Sequence, residues 1–379
     1  MVIARERRLT APSSVPALTW SALAICLGLW WLWQPRRYPF VPGDPATFGT
    51  LLGVVPAAAM PLLLVAAGVW GTVVACLAAR RQPAQGTTVI VVGTAAVFAV
   101  VFGLVVPGIQ PLTLVGYAMA MLGPPVLFGV VLAGAWRWRG GPWVVGVLLL
   151  VAALAWFTGL ADGAVLLRYL DVITTSAERA GPPAVLLFFL VGGLVWGLFG
   201  THTLLRIRVD RPAPVWMQPA AAARWGRVAV VIATVCALPY GLVRLTWLTP
   251  WPLGGDAAEL ADHPEIRLHG LLLGLAALAG AVLTTGLVAC WGEVWPRWLP
   301  VLRGRPVPVA AAVVPGTLVA TLFTVAALPF SVMAVTSGTP GMLLYFPFPV
   351  WGPALGAAVL AYALRRRDDM ARPGTIDGS

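Results

Sequence analysis

Long apolar runs follow one another through this chain, and its basic residues, all of them arginine, gather in every second gap between the runs. That alternation constrains the fold more than any other feature. A helix crossing the hydrocarbon core of a bilayer needs about 20 predominantly apolar residues. Runs of that kind lie near 16–33, 56–79, 87–107, 117–136, 142–160, 183–204, 226–247, 269–290, 307–329 and 347–364. The expectation is an all-α, polytopic helical membrane protein with about ten transmembrane helices. Composition excludes the soluble alternative. Charged residues make up 10% of the 379 and hydrophobic residues 59%, with a mean hydropathy of +0.88. A soluble domain carries about 25% charged residues, so this chain has too little polar surface to cover a core in water.

Arginine placement predicts orientation. The segments 5–8, 80–81, 137–139, 206–227, 297–305 and 365–372 hold nineteen of the twenty-five arginines, and the alternate segments 36–37, 168–179 and 267 hold five. Arg244 falls inside a run. Basic residues are retained on the cytoplasmic side. Both termini are therefore expected in the cytoplasm of a bacterial plasma membrane, with the clustered arginines facing anionic lipid headgroups. The net charge of +11 does not point to nucleic acid, because the arginines are dispersed rather than set on one face. Arg5, Arg7 and Arg8 before an apolar stretch imitate a secretory signal. That stretch ends in Trp30, Trp31 and Trp33 rather than a small-residue cleavage site, which suits a retained first span with an aromatic belt.

Internal similarity suggests a 4+2+4 arrangement of parallel repeats. Val73-Val74-Ala75-Cys76 and Leu287-Val288-Ala289-Cys290 close the second and eighth runs, Cys26 and Cys236 sit within the first and seventh, and Pro107 matches Pro329. The expected division is a first four-helix unit over 1–141, two linking helices over 142–205, and a basic cytoplasmic linker over 206–225. A second four-helix unit follows over 226–367, with a disordered tail over 368–379. Helices six apart would then share one orientation. Val165, Tyr169, Val172 and Ile173 are spaced as one face of a short surface helix.

Few residues could carry chemistry. Arg244 is the one charge within a run, and an ionisable group there marks a possible site. It lies near the outer end, so it either snorkels to the headgroups or faces inward to an anion or an outer carboxylate. The following outer loop holds Asp256, Glu259, Asp262, His263 and Glu265, with His269 just beyond. These lack the spacing of a metal motif such as H-E-x-x-H and suit a solvated acidic loop, with Arg267 exposed in it. Between the eighth and ninth runs, Trp291, Trp295 and Trp298 fall at helical spacing, and Glu293 and Arg297 form an i, i+4 pair on another face. That stretch fits an interfacial elbow, or a gate held by the pair. The histidines sit at the ends of runs, where they could not hold a haem between helices. No phosphate-binding P-loop and no G-x-S-x-G elbow occurs. The sequence indicates no cofactor, no metal and no catalytic residue. Cys26, Cys76, Cys236 and Cys290 have the character of small buried residues in helices. Gly193/Gly197, Gly270/Gly274 and Gly352/Gly356 fit G-x-x-x-G, which lets helices approach closely.

The stretch Trp291-Gly292-Glu293-Val294-Trp295-Pro296-Arg297-Trp298, followed by Gly304-Arg305-Pro306-Val307-Pro308, resembles a segment of uncharacterised multi-spanning membrane proteins of actinobacteria. Pro349-Val350-Trp351-Gly352 and the closing Arg365-Arg366-Arg367 are similar in the same way. The resemblance covers the last 160 residues or so and implies a membrane protein without an assigned activity or site.

Three functions remain open: a non-catalytic membrane scaffold or accessory subunit with an unspecified protein partner, a small-molecule transporter or permease-like protein, and an outer-face enzyme acting on a lipid-linked substrate. The scaffold is favoured because the apolar runs are nearly free of ionisable groups. A polar cavity at mid-depth would favour transport, and a lipid-sized groove reaching the acidic loop would favour the enzyme. The topology itself is testable. Reporter fusions after residues 85, 175, 215 and 260 are expected to read in, out, in and out, and a reversed reading at any one breaks the span order.

Overall fold

The computed structural model describes residues 14–40, 50–79, 85–116, 118–119, 123, 126, 129, 141–160, 162–178, 181–207, 214–295 and 303–366. It is all-α, and among these residues the one β feature is an isolated bridge between Val294 and Pro306. Among the described residues eight helices are long and apolar enough to cross a membrane: Val15–Trp33, Met60–Ala78, Gly86–Val105, Ala184–Leu204, Pro219–Leu248, Pro264–Gly286, Val309–Thr336 and Met342–Arg365. These correspond to eight of the expected runs. The fifth run is the shorter apolar helix Gly141–Phe157. The fourth, near 117–136, falls almost entirely outside the described residues. The protein is an integral membrane protein of helical, multi-span architecture.

In chain order the helices are α1 (Val15–Trp33), α2 (Met60–Ala78), α3 (Gln85–Val100), α4 (Gly141–Phe157), α5 (Gly163–Glu178), α6 (Gly181–Ile207), α7 (Pro219–Leu245), α8 (Ala257–Asp262), α9 (Pro264–Gly286), α10 (Val309–Thr336), α11 (Met342–Tyr345) and α12 (Phe348–Arg365). They form two compact units, one from 1–111 with 181–213, the other from 112–180 with 214–379.

In the first unit α1 lies along α2, and α3 along α6. The helices touch where side chains are missing. A Cβ on Gly28 would stand 2.8 Å from the Pro61 carbonyl oxygen, and one on Gly68 would stand 2.7 Å from that of Ser21. After α3 the backbone widens into a π-turn over Val101–Val105. There Gly103 meets Gly193 so closely that a Cβ on Gly193 would lie 2.3 Å from the Gly103 Cα. An aromatic core packs beside these contacts. Trp20 stacks on Phe188 at 5.4 Å and donates from its indole nitrogen to the Phe188 carbonyl at 3.0 Å, while Phe98 meets Trp196 edge-on at 5.0 Å.

In the second unit α12 packs against both α7 and α10, and α9 packs against α7. Small residues again set the approach. A Cβ on Gly226 would come within 2.5 Å of Ala361, one on Gly241 within 2.5 Å of Leu278, and one on Gly352 within 2.5 Å of the Thr324 backbone. Each expected G-x-x-x-G pair therefore stands at a helix contact: Gly193 and Gly197 face Gly103 and Ala99, Gly270 and Gly274 face Trp247 and Arg244, and Gly352 and Gly356 face Thr324 and Ala320. Prolines interrupt α7 at Pro239, α10 at Pro315 and Pro329, and α12 at Pro353. Membrane helices tolerate such breaks where neighbours satisfy the freed backbone groups.

The expected surface helix is α5. Its start is capped by Asp162, whose Oδ1 accepts from the Val165 amide at 2.8 Å. Val165 and Tyr169, one turn apart, are buried against Leu268 of α9, whereas Val172 is half exposed. The cysteines depart from expectation. Cys236 is buried, but Cys26, Cys76 and Cys290 stand on the outer surface of their elements. A membrane helix has faces that meet no other helix, so depth in the sequence run does not imply burial in protein.

The glycine contacts generate a paired prediction. Gly193→Ala drives a Cβ into the backbone of Gly103, which cannot yield as a side-chain tip would. It is expected to lower stability by about 1–3 kcal/mol or more, the usual cost of overpacking. Gly280→Ala, with nothing within 4 Å of the added carbon, is expected to be neutral or stabilising by up to about 1 kcal/mol. Thermal unfolding of the purified protein in detergent separates the two.

Candidate functional site

The candidate residues between α7 and α9 are organised by α9, which begins earlier than the apolar run suggests. Pro264 occupies its first position, where the missing proline N–H is no loss. Glu265, Arg267 and His269 consequently lie on the first turns of a helix and not in a loop. Glu265 and His269, four residues apart, share a face, and α5 supplies their partners. Glu265 Oε2 pairs with Arg168 Nε at 3.5 Å, and its Oε1 is 3.1 Å from His263 Nδ1. The Glu265 side chain is 11% exposed and that of Arg168 is 53% exposed, so the pair sits at the edge of the protein. One turn on, the Tyr169 hydroxyl and His269 Nδ1 are 3.2 Å apart.

Trp247 is the centre of the adjoining group. It is buried in the single 3-10 turn Thr246–Leu248 that ends α7. Its indole nitrogen donates to the Leu253 carbonyl at 3.0 Å, and the Leu253 amide donates to Thr246 Oγ1 at 2.8 Å. The expectation that Arg267 is exposed and idle is corrected here. Arg267 is partly buried, and its Nε donates to the Trp247 carbonyl. That carbonyl, at the end of a helix, has no partner within the helix.

Arg244 neither pairs with a carboxylate of the segment 256–265 among the described residues nor stands apart from the protein. Its guanidinium lies 3.9 Å from the centre of the Trp247 ring and 5.2 Å from that of Tyr240. The Gly270/Gly274 face of α9 makes room for it. A Cβ on Gly274 would be 2.5 Å from the Arg244 Cβ, and one on Gly270 would be 2.3 Å from the Trp247 ring. A cation over an indole face is held by the ring quadrupole, by about 0.5–2 kcal/mol according to exposure.

The remaining loop residues do not converge. Asp256 caps the short α8, its Oδ1 accepting from the Ala258 amide at 2.7 Å. Glu259 and Asp262 are exposed on α8. Among the described residues no group of three His, Cys, Asp or Glu side chains is placed to hold a metal ion.

A second set of ties lies where α9 leads to α10, and here the expected helical face is corrected. Residues 290–292 make one 3-10 turn, and Glu293 and Trp295 then bond to the backbone of residues 304–307. The Trp295 amide donates to the Arg305 carbonyl at 3.0 Å, the Gly304 amide to the Trp295 carbonyl at 3.1 Å, and the Val307 amide to the Glu293 carbonyl at 2.8 Å. Trp291 and Trp295 therefore do not share a helix face. Gly292 lies against the Gly286 carbonyl, where no side chain would fit, and Trp291 covers Gly286. Glu293 pairs with Arg365 of α12 at 3.1 Å, and the expected partner Arg297 lies outside the described residues. Arg366, 8% exposed, donates to the Val307 carbonyl at 2.9 Å and to the Tyr362 hydroxyl at 2.7 Å. Tyr362 in turn donates to the Gly292 carbonyl at 2.8 Å. Sequence reasoning missed this clasp. The arginine run at 365–367 read as lipid-facing, and the one available signal was Tyr362 one turn before it.

The chain matches no protein-family model, no curated protein and no solved structure at a significant level.

Arg267→Ala removes a charged donor from the Trp247 carbonyl and is expected to cost about 1.5–3 kcal/mol, the range for a hydrogen bond to a charged group. Arg36→Ala, at an exposed arginine, is expected to change stability by no more than about 0.5 kcal/mol. Both are read as shifts in Tm.

Proposed function

We propose that this chain is a non-catalytic membrane scaffold or accessory subunit, lying in the bacterial plasma membrane with both termini cytoplasmic and its clustered arginines against anionic headgroups. One observation carries the reading: the side chains best suited to acid–base or ligand chemistry are engaged with this chain's own groups. Glu265 is tied to Arg168 and His263, Arg267 to the Trp247 carbonyl, Glu293 to Arg365, and Asp256 to the start of α8. An outer-face enzyme would need carboxylates converging on a groove, whereas Glu259 and Asp262 stand exposed on a six-residue helix. Transport by proton coupling would need ionisable groups along the spans. The closest approach to that is Arg244, near one end of α7, with its charge against two aromatic rings.

The test separates structural ties from a working site. In a strain lacking the native gene, Glu265→Gln is expected to lower protein abundance, with complementation falling in proportion. The exchange Arg168→Glu with Glu265→Arg is expected to restore both. If the exchanged protein is as abundant as wild type yet fails to complement, Arg168 and Glu265 act on something other than each other, and the scaffold reading fails.

A further inference from the structure

Arg244, in the last turn of α7, keeps its hydrogen-bonding capacity unused. A guanidinium carries five N–H donors. Those of Arg244 meet no acceptor among the described residues, and its charge rests on the rings of Trp247 and Tyr240 alone. Attraction to a ring quadrupole leaves the donors without an oxygen to bind. The side chain is partly buried, yet its nitrogens are not sealed off. A second cation stands beside the same tryptophan. Arg267 uses its Nε on the Trp247 carbonyl, and its two terminal nitrogens have no acceptor among the described residues. Arg267, Gly270 and Gly274 fall at i, i+3 and i+7, on one face of α9. A Cβ on Gly270 would lie 3.1 Å from Arg244 Nη1, so the missing side chain opens the groove in which that nitrogen lies.

The nearby carboxylates do not neutralise these two arginines. Glu265 is tied to Arg168 and His263, Asp256 accepts from the first amides of α8, and Glu259 and Asp262 are exposed without an arginine partner among the described residues. The surroundings fix the depth. Leu248, Trp251 and Leu253 follow Trp247 and are 55%, 79% and 53% exposed. An exposed tryptophan among apolar residues at the end of a span belongs at headgroup level. The anion concentrated at that level is the lipid phosphate. Its several oxygens can accept from two guanidiniums at once, and arginine is the side chain best matched to it.

We infer that the groove between the end of α7 and the start of α9 binds the phosphate of an anionic lipid headgroup, with Arg244 and Arg267 donating to its oxygens. A free phosphate ion shares this chemistry. An arginine that only snorkels meets whichever headgroup is nearest and shows no preference among lipids. The site is distinct from the clustered arginines near the start of α7: Arg224 lies about 30 Å away along the helix. It does not depend on the scaffold reading.

The test titrates the purified full-length chain in detergent with phosphatidylglycerol, phosphatidylcholine or sodium phosphate and follows Tm. Phosphatidylglycerol is expected to raise the Tm of the wild type at lower concentration than phosphatidylcholine, and sodium phosphate to do no more than sodium chloride at equal ionic strength. Arg244→Gln is expected to weaken the phosphatidylglycerol response about tenfold or more, the loss that accompanies one hydrogen bond to a charged group. Arg244→Lys keeps the charge but not the planar fork of donors, and is expected to weaken it by a smaller factor. Arg224→Gln, near the other end of α7, is expected to respond as the wild type does. Equal responses to the two lipids, an undiminished response in Arg244→Gln, or an equal loss in Arg224→Gln would each overturn the inference. An Arg244-dependent response to sodium phosphate with none to phosphatidylglycerol would overturn the lipid as the source of the phosphate. Should Arg244→Gln fail to fold, Arg244→Lys decides, and a response equal to that of the wild type overturns the inference.

Discussion

Contact between helices at positions without side chains is the constraint on which the rest of this structure depends. In a bilayer the helices gain nothing by hiding apolar surface from one another, since lipid is as apolar as leucine, and association rests on close packing. The chain meets that demand with glycine. Gly103 against Gly193 and Gly352 against the Thr324 backbone bring main chains together in ways that any Cβ would prevent. Large rings then fill the volume beside these approaches, as Trp20 does over Gly192 and Trp247 over Gly270.

With packing supplied by small residues, the few polar groups act at the ends of helices. In the second unit one set ties α5 and the end of α7 to the start of α9, and another fastens the loop before α10 to the end of α12. The two sets use one logic. An arginine donates to a carbonyl that a turn or helix end leaves free: Arg267 to Trp247, Arg365 to Leu287 and Arg366 to Val307. In a chain without lysine, the guanidinium with its several fixed donors suits this work better than a single ammonium would.

The all-α, multi-span class was legible from run length and composition, because the bilayer imposes its thickness on any chain that crosses it. The G-x-x-x-G pairs were legible as packing positions for the same reason. The partners of individual polar residues were not. Arg168 and Glu265 are 97 positions apart, and Tyr169 and His269 are 100 apart. Nothing local announces such meetings. The neighbours of Arg244 are rings rather than carboxylates, and an exposed acidic loop close in sequence suggested the wrong partner. The helical face expected for Trp291 and Trp295 failed because periodicity carries no weight where Gly286 and Gly292 fold the backbone onto itself.

The central claim, that glycine positions set which helix faces meet, is tested most directly by cross-linking in the membrane. A Cβ on Gly356 would lie 3.7 Å from that of Ala320, within the roughly 3.5–4.5 Å that a disulfide spans. With the four native cysteines replaced, Ala320→Cys with Gly356→Cys is expected to form an intrachain disulfide readily under mild oxidation. Val319→Cys with Gly356→Cys, rotated about 100° around α10, is expected to stay reduced. Cross-linking of the second pair in preference to the first would contradict the account.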